Sequence, residues 1–94
     1  MRQKPKNHNF RGKKYKIFFR PPKNMNHIGP CDFGTREIEI KPSLKGKEKL
    51  DCIIHEALHA CLPDLDDDAV NETGIAVSGL LFKLGYVLKE ERNK

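Results

Sequence analysis

His55-Glu56-Ala57-Leu58-His59 places two imidazoles four residues apart, with a carboxylate directly after the first. On an α-helix, residues i and i+4 lie about 40° apart around the axis, so both rings can reach one cation while the Glu projects beside it toward a bound water. The chemistry suited to that arrangement is metal-assisted hydrolysis. The cation polarises a carbonyl and acidifies a water, and the carboxylate takes the proton. In a chain with 4 His and, counted along the sequence, 7 Glu, the string arises by chance about once in a hundred such sequences. The elements around it must therefore carry the argument.

From Leu50 to Cys61 the apolar residues Leu50, Ile53, Ile54, Ala57, Leu58 and Cys61 recur at three- and four-residue spacings, which predicts an amphipathic helix. In steps of 100°, His55 and His59 fall about 130–170° from the centre of that stripe. The pair thus stands clear of the expected packed face and reads as metal ligands; the competing reading is two ordinary surface residues. A hydrolytic zinc takes three protein ligands and keeps one position open, so a third donor is needed. Pro63 ends the helix, Leu62-Pro63-Asp64-Leu65-Asp66 reads as a tight turn, and Asp66 or Asp67 is suited to cap a second helix. That helix runs to about Leu84 on an apolar stripe of Val70, Thr73, Val77, Leu80, Leu81 and Leu84, with Gly85 as its stop.

Helices joined by so short a turn pack antiparallel. Counting outward from the turn, His59 and His55 come level with about residues 69 and 73, which makes Asp68 and Glu72 the alternative third ligands. Glu72 has the longer reach, whereas Asp68 lies where a helix N-terminus stabilises a carboxylate. Asp66, Asp67 or a water fill the remaining possibilities. An acidic first turn is also what ordinary capping produces.

The segment HEALHACLPDLDDDAVNETGIAVSGLLFKLGY, about a third of the chain, resembles small, often phage-encoded, zincin-like metallopeptidases. In these an HExxH helix is followed by a short turn, an acidic pair and a second helix ending in Leu-Gly-aromatic. Gly29-Pro30-Cys31-Asp32 and Arg36 to Ile40 resemble the strand that enters the active-site helix. The resemblance implies a minimal zincin, similar to the gluzincins, with His55, His59 and a downstream acid on zinc. The acidic pair falls on Asp67 and Asp68, which favours Asp68, while Asn71-Glu72 resembles the glutamate helix of larger gluzincins and favours Glu72. Asp stands at both 67 and 68, where Glu is the more usual residue.

The remaining sequence bounds the class. Ninety-four residues suit one small domain near the lower limit for a self-sustaining core, which a bound metal would help to stabilise. There is no apolar run of membrane-spanning length and the N-terminus carries no apolar signal core, so the expectation is an intracellular, cytoplasmic protein without a membrane partner. Cys31, Cys52 and Cys61 are odd in number without CxxC spacing, which argues against a disulfide framework or a four-Cys zinc knuckle; Cys52 reads as a small buried thiol. Tyr15 to Arg20 and Arg36 to Lys41 read as strands, separated by a loop rich in Pro, Gly and Asn. The second of them, from residue 35 to 41, is expected to offer an open edge to an extended peptide.

Charge is lopsided: through Lys23 there are nine Lys or Arg and no acid, and beyond it nine bases face thirteen acids. The expected organisation is a flexible basic arm (residues 1–12), a single α+β domain (13–88) in which a small β-sheet packs on the antiparallel helix pair, and a charged tail (89–94). The function expected is zinc-dependent hydrolysis of a peptide bond, with His55, His59 and Asp68 or Glu72 holding Zn2+ and Glu56 as general base. Tyr86 and His27 could each stabilise an oxyanion, and nothing in the sequence chooses either. The alternative is a nucleic-acid-binding or interaction module with a structural or vestigial metal site, its basic N-terminal arm contacting phosphates.

Overall fold

The Asp66 to Gly85 segment follows the rules for a capped helix at both ends. The Asp66 side chain accepts a hydrogen bond from the Ala69 amide at 2.8 Å, which fills one of the free donors of the first turn. At the other end Gly85 takes φ +92°, and the amides of Gly85 and Tyr86 bond to the carbonyls of Phe82 (3.0 Å) and Leu81 (2.9 Å), closing the helix in a Schellman motif. The computed structural model describes residues 5–21 and 31–88. The chain is α+β and separates into two compact units, residues 1–43 and 44–94.

The second unit is a helix hairpin, α1 (Gly46–Cys61) and α2 (Asp67–Lys83). α1 starts a turn before its first predicted apolar residue, with Glu48 in the positive end of the helix and Lys47 paired to Asp51 at 3.1 Å, four residues on. Antiparallel packing is fixed by two levels of contact: His55 faces Gly74, and the Ser78 hydroxyl donates to Asp51. The packed row of α2 is Val70, Gly74 and Ser78, all buried. This corrects the expected stripe, since Val77, Leu80 and Leu84 are exposed. Apolarity alone predicted the wrong row. Small side chains let the two backbones approach, and the Ser78 hydroxyl adds to the Lys47 ammonium a second donor on Asp51 that a Leu or Val would not supply.

The first unit is a four-stranded sheet ordered β1-β2-β4-β3, built from β1 (Lys6–Phe10), β2 (Lys13–Phe19), β3 (Cys31–Asp32) and β4 (Glu37–Ile40). β1 and β2 form a two-residue hairpin in which Arg11 (φ 54°) and Gly12 (φ 85°) both adopt left-handed backbone, the turn whose twist matches the strands. The expected flexible arm thus supplies an edge strand over residues 6–10, and the expected single domain of residues 13–88 divides between Ser43 and Leu44. β4 pairs parallel to β2 along its length and antiparallel to β3 at Glu37 and Ile38, so the first half of the strand expected to present an open edge is covered. Tyr15, Ile38 and Ile40 are buried. Arg20 lies 3.7 Å over the Phe18 ring and 2.6 Å from Glu39. His27, the Gly29-Pro30 pair and the expected tail 89–94 fall outside the described residues. No helix among the described residues is long and apolar enough to cross a membrane.

A Cβ built on Gly74 would stand 3.7 Å from the His55 Cα and from the Leu58 side chain, which is ordinary contact. Gly74→Ala is expected to be neutral or to stabilise by up to about 1 kcal/mol through helix propensity, while Gly74→Leu separates the helices and lowers the urea midpoint. Ser78→Ala is expected to cost about 1–3 kcal/mol by leaving part-buried Asp51 short of a donor. An unchanged midpoint for Ser78→Ala would show that this contact does not hold the hairpin.

Candidate metal centre

α1 carries the two histidines on neighbouring turns, and their Nε2 atoms stand 3.2 Å apart with the rings edge to face. Two nitrogens bound at about 2.05 Å to a tetrahedral zinc are separated by about 3.3 Å, so the observed spacing suits one cation between them. His55 is held below the usual histidine pKa by burial and then by the neighbouring His59 charge, with Asp67 opposing. That keeps the ring neutral near pH 7, the form that binds a metal.

Asp67 is the acid of α2 that the structure places beside the pair, its Oδ1 3.9 Å from His59 Nε2. Asp68 and Glu72 are exposed, as Asp67 is, but at 100° per residue they lie about 120–160° around α2 from the packed row of Val70, Gly74 and Ser78. The structure therefore brings neither of the two expected third ligands to the histidines. The level count was close, but height along a helix does not set direction around it. Among the described residues no group of three His, Cys, Asp or Glu side chains is gathered about a common point for a metal. Two donors converge and the nearest third stands short of them.

Glu56 departs most from ordinary surface behaviour. It is 3% exposed, its Oε1 has no hydrogen-bond partner among the described residues, and burial pushes its pKa up to about 7. A buried carboxyl without a donor is costly. With a pKa near neutrality, it is matched to accepting and returning a proton at physiological pH. Burial first, and then the Glu56 charge, push the Cys52 thiol up to about 11, which leaves it protonated and unreactive.

His55 and Glu56 line a cleft of about 440 Å³ together with Glu48, Asp51, Asn71 and Ile75, a volume within the range of small-molecule and peptide side-chain sites. The sequence reading missed Asp51 and Asn71. Asp51 could have been found, since it sits one turn before His55; Asn71 carried no such signal. Partial burial works to raise the Asp51 pKa, but the Ser78 hydrogen bond and the Lys47 ammonium outweigh it, so that the carboxyl titrates below its usual value. Tyr86 is exposed just beyond the C-terminus of α2, whereas the histidines lie level with the first half of that helix. His8, on β1, is exposed and meets the Phe10 ring edge at 4.8 Å. Comparison of the chain with protein-family models, with curated proteins and with solved structures finds no match.

In the metal-free protein, folded Glu56 keeps a proton that the unfolded chain releases from its ordinary pKa of 4.5 upward. The stability linked to that proton is complete below about pH 4.5 and is lost as pH rises through about 7, by up to about 3 kcal/mol. The depressed His55 pKa acts in the opposite sense, so the test compares variants. Between pH 5 and 8 the urea midpoint of wild-type protein is expected to fall relative to that of Glu56→Gln, and parallel curves would show that Glu56 is solvated.

Proposed function

We propose that the chain is a zinc-dependent metallopeptidase with a minimal zincin-like arrangement. The observation that carries this reading is the convergence of His55 Nε2 and His59 Nε2 to 3.2 Å, with the adjacent Glu56 buried, unpaired and lining the same cleft as His55. The donor set fits zinc in kind, two imidazoles and a nearby carboxylate, and His55 and His59 would hold it with Asp67, the acid nearest to them, as third donor. Zinc bound there supplies a polarised substrate carbonyl and a water of lowered pKa. Glu56 takes a proton from the attacking water and returns it to the leaving amine, a role served by its raised pKa. Burial of the Glu56 carboxyl maintains that shift. Lys47 and Ser78 keep Asp51 ionised and engaged, in contrast to Glu56, whose pKa burial raises.

The second reading is a binding module with a structural or vestigial metal site, favoured by the lack of three assembled donors among the described residues. Metal analysis and a peptide-cleavage assay separate the two. Glu56→Gln is expected to keep stoichiometric zinc and lose hydrolysis by at least about a hundredfold, the scale of a general base, whereas His55→Ala loses both zinc and activity. Asp67→Ala should weaken zinc binding more than Asp68→Ala or Glu72→Ala; the reverse order would reassign the third donor. Zinc retained by wild type with peptides left intact selects the binding module.

A further inference from the structure

The β1–β2 hairpin carries much of the basic half of the chain, with Lys14 and Lys16 on one face, Lys6 and Lys13 on the other and Arg11 in the turn. Its register sets Asn7 opposite Lys16 and Asn9 opposite Lys14. Side chains alternate across a sheet, so these four share the face opposite that of Phe10 and Tyr15. All four are exposed, as are Lys13 beside the turn and Arg11 at its tip. Asn7, His8, Asn9 and Lys14 also line a recess of about 390 Å³. Each of these residues can donate a hydrogen bond, through an amide, an imidazole or an ammonium, and none is an acid.

The basic surface has a boundary. Across β2 the next strand sets Glu37 level with Lys16 and Glu39 level with Phe18, and Arg20 pairs with both acids, so the sheet turns from cationic to balanced at β4. Along the hairpin, Lys14 and Lys16 are two residues apart, about 6.8 Å on an extended strand, far enough for the two ammonium groups to meet separate phosphates of one strand. β1 is an edge strand and adds outward backbone N–H groups to the donors. We infer that this hairpin face binds the phosphate backbone of a nucleic acid, with Lys14 and Lys16 meeting phosphates and Asn7 and Asn9 donating to phosphate or sugar oxygens. This surface is independent of the peptidase reading. Backbone contacts of this kind position a strand without reading its sequence.

The test is fluorescence anisotropy of the full chain with a labelled oligonucleotide, single-stranded and as a duplex, from about 50 to about 200 mM salt. Lys14→Glu/Lys16→Glu is expected to weaken binding roughly tenfold or more and to lower the slope of log affinity against log salt by about 1.4 on a single strand, two contacts at about 0.7 each. Asn7→Ala/Asn9→Ala should weaken binding with the slope preserved, since amides displace no counterions. The control with the same change in net charge, Lys45→Glu/Lys83→Glu, alters exposed lysines of the helix unit and should have a much smaller effect. Should the hairpin variants fail to fold, amide chemical shifts of wild-type protein titrated with the oligonucleotide decide the question; changes concentrated in residues 6–16 support the assignment. Equal loss in the control pair, shifts spread over both units, or no binding at low salt would overturn it.

Discussion

The separation between α1 and α2 at Gly74 governs what the histidine helix can do. With no side chain there, the α2 backbone lies against the His55 backbone, and one turn further along Ser78 reaches the Asp51 carboxylate. Those two levels fix the register of the hairpin. They also bring the N-terminus of α2, with Asp67 in its first turn, beside His59. A longer side chain at either position would push α2 outward and carry that acid away from the imidazoles, so the donor set depends on small residues that do no chemistry themselves.

α1 holds two carboxylates a little more than one turn apart in opposite conditions. Asp51 is half-buried, yet it receives a hydroxyl and an ammonium and titrates below its usual value. Glu56 is enclosed without a donor and is pushed up to about 7. Such divergence between neighbouring acids is what separates a structural charge from a group able to exchange a proton. The unpaired Glu56 weakens the fold at the position where the proposed hydrolysis would need a base, and the Asp51 cluster ties the same helix to its neighbour from the adjacent turn.

The sheet unit works by different physics. Its hairpin is a ladder of polar and cationic pairs on one face, with Phe10 and Tyr15 edge to face at 5.6 Å on the other. Asn7 and Asn9 are poor strand formers in isolation, and the ladder with β2 together with the Arg11-Gly12 turn overrides that preference. The β-forming tendency of residues 6–10 is therefore invisible until β2 is beside them. The short β3 likewise exists through its pairing with β4, and that pairing covers the edge of β4 at Glu37 and Ile38.

Features determined by near neighbours in the chain were readable from the sequence alone. The HExxH helix, the break at Pro63, the Asp66 cap, the span of α2 and its stop at Gly85 all follow from periodicity and from the hydrogen-bonding needs of helix ends. Tertiary structure decided which row of α2 packs, that Asp67 approaches the histidines in place of Asp68 or Glu72, and that Glu56 is buried without a partner. The physical reason is that close packing selects for size and shape across elements distant in sequence. Gly74 and Ser78, unremarked on a hydrophobicity count, set a distance that no count of apolar residues contains.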